Sequence, residues 1–151
     1  MADTLYIPHW QAGSSATEDI STRTHLFLTN VSSMEATFAL TLFRTDGYAW
    51  ANQPLDIEDY ARVNPSTTDG NGAVGLRLSP GATVRLELNS ERRVMGYAVL
   101  QLVEVGRGGD NTAFVLAVGV VDTFASEEGS GFEMSTHAIT ITGSTPAMLT
   151  V

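Results

Sequence analysis

At 151 residues, 43% hydrophobic and 17% charged, the chain is long enough for one domain with a substantial core and too apolar to be disordered. Seventeen Asp and Glu oppose eight basic residues, all of them Arg, and the resulting net charge of −9 repels phosphate backbones, so nucleic acid is excluded as an expected partner. The absence of cysteine excludes disulfides, thiolate nucleophiles and cysteine-ligated metals.

Short apolar alternations broken by Gly, Pro, Asn and Asp mark an all-β chain. Met1 to Trp10 has no basic stretch followed by an apolar one, so no secretory signal is expected, and a cytoplasmic or particle-associated protein without a membrane span follows. Thr24 to Thr29 reads as a strand with Leu26 and Leu28 on one face and His25 and Phe27 on the other. Asn30-Val31-Ser32 fits a glycosylation triplet and also a turn. Ala36 to Arg44 alternates Phe38, Leu40 and Leu42 against small residues, and Asp46-Gly47 closes that strand in a tight turn.

Trp50 to Gly72 reads as a long loop with at most one helical turn at Asp56 to Arg62. Ala73 to Leu78, Ser79-Pro80-Gly81 and Thr83 to Leu88 form the clearest hairpin, with Leu76, Leu78, Val84, Leu86 and Leu88 as core and Arg77, Arg85 and Glu87 solvated. Val94 to Val105 and Ala113 to Phe124 are so continuously apolar that both faces are expected to be covered, by a central place in a sandwich or by a partner. Gly96 and Gly119 inside these strands predict bulges or close backbone approaches. Thr136 to Thr142 alternates Thr and Ile. The expected fold is an all-β, two-sheet antiparallel β-sandwich, jelly-roll or immunoglobulin-like, of seven or eight strands. Leu40, Leu42, Leu86, Val99 and Val118 are its expected buried markers. One domain covers 1–151, with 122–151 a C-terminal extension expected to pack on a neighbouring subunit.

No catalytic constellation stands out, and no enzyme, cofactor or metal site is expected. The G-x-S-x-G elbow is missing, since Gly129-Ser130-Gly131 lacks its spacing. His9, His25 and His137 are scattered, and Asp56, Glu58, Asp59, Glu127 and Glu128 read as acidic surface rather than a glycosidase pair. Asp69-Gly70-Asn71-Gly72 lacks the closing Glu of a calcium loop.

Aromatic residues supply the candidate binding sites. Trp10, Tyr48, Trp50 and Tyr60 fall in or beside loops, where a carbohydrate-binding module would place stacking platforms for a glycan. Tyr and Trp are equally the favoured anchors of a protein partner. The expected function is a non-enzymatic, self-assembling structural or recognition protein, a subunit of a homo-oligomer, filament or virus-like particle. Its partners are copies of itself, joined through Tyr6, Trp10, Met148, Leu149 and Val151, with the tail Ala147 to Val151 adding to a neighbour's sheet edge.

Tyr6-Ile7-Pro8-His9-Trp10, Leu26-Phe27-Leu28-Thr29-Asn30, Phe38 to Gly47, Leu78-Ser79-Pro80-Gly81-Ala82-Thr83-Val84 and Gly96-Tyr97-Ala98-Val99 together resemble the small β-sandwich proteins related to the sensory rhodopsin transducer. The similarity spans roughly residues 5 to 121 as a pattern of strands and turns, and Asp122 to Val151 departs from it. It implies a cytoplasmic, non-enzymatic oligomer that relays or recognises, a signalling adaptor, and it carries over no functional residue.

Overall fold

The protein is described from a computed structural model over residues 4–14, 20–49, 56–59, 63–68, 74–88, 90, 93–106, 111–127 and 131–151. Eleven strands follow in order: β1 (Thr4–Ser14), β2 (Ile20–Asn30), β3 (Ala36–Arg44), β4 (Asp56–Asp59), β5 (Val63–Thr68), β6 (Val74–Leu78), β7 (Thr83–Leu88), β8 (Val94–Val105), β9 (Thr112–Glu127), β10 (Gly131–Thr140) and β11 (Ala147–Thr150). Every pairing is antiparallel. Among the described residues there is no helix, and so none long and apolar enough to cross a membrane.

The strands form one sheet that is continuous through β1 and divides there into two leaves sharing a single core. One leaf runs β10, β9, β2, β7, β4, with β11 beside β10 on the same edge of β9. The other runs β1, β8, β3, β6, β5. β1 pairs with β8 from Thr4 to Ala12, and its last residues, Gly13 and Ser14, cross to β2. Thr24, fully buried on β2, fastens this crossing: its Oγ1 donates to Gln11 O at 2.7 Å and accepts from Gln11 N at 2.9 Å. A hydroxyl that both donates and accepts satisfies two backbone groups where the β1 ladder changes partner.

The period of two puts one side of each leaf into a single core. Leu26 and Leu28 of β2, Phe38, Leu40 and Leu42 of β3, Leu76 and Leu78 of β6, Val84, Leu86 and Leu88 of β7, and Leu100 of β8 are all buried in one cluster. The expected hairpin core is therefore present in full, and the Pro80-Gly81 turn has Gly81 at φ 76°, as a type II turn requires. Asn30 ends β2 at 0% exposure with every polar atom of its side chain engaged. Its Nδ2 donates to Met34 O and Leu78 O at 2.9 Å each, and its Oδ1 accepts from Ser32 N at 3.0 Å. The glycosylation triplet is thus a buried turn anchor, with no exposed amide to modify.

Four expectations are corrected. Among the described residues the strands number eleven rather than seven or eight. Asp56–Asp59 is a strand paired with β7 and not a helical turn, because the open β7 edge offers a complete ladder, whereas one isolated turn fixes backbone for few hydrogen bonds. β8 and β9 are central, yet their outer faces stay open: Val103 and Val118 are exposed, and Val99 is only half-buried. The extension from Asp122 onward is integral to the fold, and its tail finds its edge on its own chain. Ala147, Met148, Leu149 and Thr150 pair with Val115, Phe114, Ala113 and Thr112 of β9. β10 leaves that half of the β9 edge free, so β11 docks within the chain at no cost in association entropy.

Leu149 is completely buried in the common core. Leu149→Ala is therefore expected to destabilise the folded domain by about 2–5 kcal/mol, read as a lowered denaturation midpoint, and not merely to loosen an assembly.

Candidate functional site: two uncharged sheet faces

The outer face of the β9 leaf divides by chemistry. At one end lie its charges: Arg23 Nη1 donates to Glu87 Oε1 at 3.1 Å, and the Arg23 guanidinium sits 5.2 Å from the Phe124 ring centroid. His25 Nε2 lies 3.3 Å from Asp122 Oδ2, while Thr136 Oγ1 donates to Asp122 Oδ1 at 2.8 Å. Strand alternation places Arg23 and His25 of β2 on the same side as Asp122 of β9, because their Cα partners are Asp122 and Val120.

Beyond this group the β9, β10 and β11 part of the face is uncharged, while Arg85 of β7 stands opposite Phe27. Phe114 and Val118 of β9 are 42% and 41% exposed, with Leu116 and Val120 half-buried between and beyond them. Phe27 stands opposite Val118, Thr140 of β10 flanks Val118 on the other side, and Met148 stands opposite Phe114. The sequence explains this patch directly, since no Asp, Glu or Arg occurs from Leu26 to Met34, from Asn111 to Val121 or from Met134 to Val151. In a chain carrying −9, three neighbouring strand stretches without Asp, Glu or Arg form a local exception.

The outer face of the β8 leaf is also uncharged along its centre, where Tyr6, Val99 and Thr41 lie in one row and Tyr97 lies beside Phe43. The Phe43 and Tyr97 rings stack at 5.0 Å and 14°. A bulge sets Pro8 and His9 of β1 against β8 between the Ile7–Ala98 and Trp10–Gly96 pairs. Gly96 is required there, because a Cβ would fall on the carbonyl oxygen of Phe43. Around this corner Pro8, His9, Arg44, Thr45, Met95 and Tyr97 border an open cavity of about 330 Å³. Arg44 is occupied by Asp46, 3.0 Å away, and by the Tyr48 ring at 5.9 Å.

The sequence-derived candidates scatter over this framework. Trp10 is not a loop platform: it is a β1 residue at 0% exposure, with its Nε1 donating to Tyr97 O at 2.8 Å, because the bulge turns its indole into the core. It is thereby unable to stack on a glycan or to touch a second subunit. Tyr48 is 69% exposed, and Tyr6 66%. Trp50 and Tyr60 lie outside the described residues. Of the tail, Leu149 is core, Met148 is half-buried on the β9 face and Val151 is exposed. Of the two described members of the expected glycan platform, only Tyr48 is exposed. Tyr97 and Phe114, which were not candidates, and Val118, expected to be buried, form the exposed patches instead, with Phe43 half-buried against Tyr97. Their signal was present in the strand alternation, had the outward positions of β8 and β9 been taken as uncovered.

Among the described residues no group of three or more His, Cys, Asp or Glu stands together as a metal cluster. No protein-family model matches the chain, and no characterised protein matches it significantly. A solved structure described as "Crystal Structure of Thermotoga maritima 1070" aligns over 91% of this chain and 91% of its own, with a TM-score of 0.45 and 10% sequence identity.

Proposed function

We propose that the protein is a non-enzymatic subunit that assembles with copies of itself, as a structural or recognition element. One observation supports this reading above the others: the uncharged apolar face centred on Phe114 and Val118 in a chain of net charge −9. Two such molecules repel wherever their acidic surfaces meet, and attract only where neither brings a charge and both remove apolar area from water. A surface meant for a basic partner would instead concentrate carboxylates. The same patch on both molecules gives a two-fold, self-complementary contact.

Light scattering coupled to size-exclusion chromatography is the test. The wild-type protein is expected to elute as an oligomer, and Phe114→Glu or Val118→Glu to weaken association about thirtyfold or more, since losing a central interface anchor costs about 2 kcal/mol or more. Both side chains already face water, so each variant retains its β-sheet spectrum. A wild-type protein that stays monomeric over the accessible concentration range overturns the proposal.

A further inference from the structure

β10 has a second edge. Along its inner edge all ten residues pair with β9, from Gly131 opposite Glu127 to Thr140 opposite Val118. Among the described residues no strand lies on the outer edge. Ser135, Thr136, His137, Ala138 and Thr140 are exposed. An open edge presents a row of backbone N–H and C=O groups, and proteins normally guard such an edge with charged side chains, proline, a bulge or shortness. β10 has none of these over its last seven residues: Met134 to Thr140 contains no Asp, Glu, Arg, Lys or Pro, and its register with β9 is unbroken.

We infer that β10 pairs antiparallel with β10 of a second copy, across a two-fold axis at Ala138, making one sheet continuous through two molecules. This rests on the self-assembly reading and names the edge that completes it. The occupant follows from charge: a partner of opposite sign gains nothing from an uncharged edge, whereas a second chain of −9 can approach only where neither carries charge. The edge is also continuous with the apolar face, since Thr140 flanks Val118 and Ala138 stands beside Val120.

The register follows from the pleat. Directly opposed residues must project from the same face, so the positions paired across the axis share parity. Centring on Ala138 sets Thr136 opposite Thr140 and His137 opposite Ile139, with the smallest side chain meeting its own copy on the axis. It also carries Glu133, the nearest carboxylate on β10 itself, opposite Gly143 beyond the ladder, while Asp122, which accepts from Thr136 Oγ1 at 2.8 Å, stays one strand inside on β9. Centring on His137 would oppose two imidazoles.

Because the chain has no cysteine, a single introduced thiol reports this register cleanly. Residues opposed in an antiparallel pair have Cα atoms about 4.5–5.5 Å apart, within the disulfide range of about 4.4–6.8 Å. Ala138→Cys is therefore expected to oxidise to a covalent species of doubled mass on non-reducing gels. In Thr136→Cys the two thiols lie four residues out of register, about 13 Å apart, and no doubled species is expected. Ala138→Lys opposes two ammonium groups on the axis and is expected to halve the mass measured by light scattering, with its circular dichroism unchanged. If Ala138→Lys fails to fold, the near-isosteric cysteine pair decides alone. An assembled wild-type protein in which Ala138→Cys cross-links no faster than Thr136→Cys overturns the β10 contact while leaving assembly through the β9 face standing. A monomeric wild type overturns both.

Discussion

Trp10→Ala is expected to lower stability by about 3–5 kcal/mol, a large share of what a domain of this size has to lose. The indole is fully buried among the side chains that join the two leaves, and its Nε1 supplies the hydrogen bond to Tyr97 O at 2.8 Å. Removing it opens a cavity in the core and strips a carbonyl of its donor, and both terms act in the same direction. Trp10→Phe separates them, since it restores much of the apolar volume but not the donor, and is expected to fall between wild type and alanine. Urea titration followed by circular dichroism measures both. A Trp10→Ala protein as stable as wild type would show that the residue sits at the surface, and would revive its candidacy as a binding platform.

Gly96→Ala is expected to be about as damaging, although it adds a single methyl group. The new Cβ would coincide with the Phe43 carbonyl oxygen, and that neighbour is backbone in the middle of the β3–β8 ladder rather than a yielding side-chain tip. Relief requires β8 to move away from β3 or the bulge opposite Pro8 and His9 to reorganise. Overpacking a well-filled site costs about 1–3 kcal/mol, and more when a ladder must separate. The loss is expected to exceed that of Gly119→Ala, where a Cβ would meet the Ile139 side chain at 3.2 Å and the Leu26 methyl at 3.4 Å. Thermal unfolding of the two variants side by side checks the ranking.

These two residues also show how unevenly the structure could be read in advance. Gly96 was legible as a close backbone approach because glycine inside an apolar run has few other reasons to be there. Trp10 was not, because its burial depends on a bulge that only the pairing of β1 with β8 creates. Asp56–Asp59 failed for a similar reason: four residues rich in carboxylate have no local strand signal, and the ladder offered by β7 decides their conformation.

The candidate site was the least legible part. Local alternation locates the two sides of a strand, but it does not say which sides are covered, and β8 and β9 are apolar on both. The uncharged stretches at Leu26 to Met34, Asn111 to Val121 and Met134 to Val151 are far apart in the chain, and become one face and one edge only because β2, β9, β10 and β11 are neighbours.

The sequence by itself determined the all-β class, the span of β3 at Ala36–Arg44, of β7 at Thr83–Leu88 and of β8 at Val94–Val105, and the inward leucines of the central hairpin. These depend on a period of two and on turn chemistry, both carried by residues within a few positions of one another. Tertiary structure alone decided that β1 passes from one leaf to the other, that the C-terminal strand closes on its own chain, and that β10 ends a sheet with its outer edge unpaired among the described residues. Each is a choice among strand edges distant in sequence, settled by which pairing lets the most backbone groups and apolar side chains leave water together.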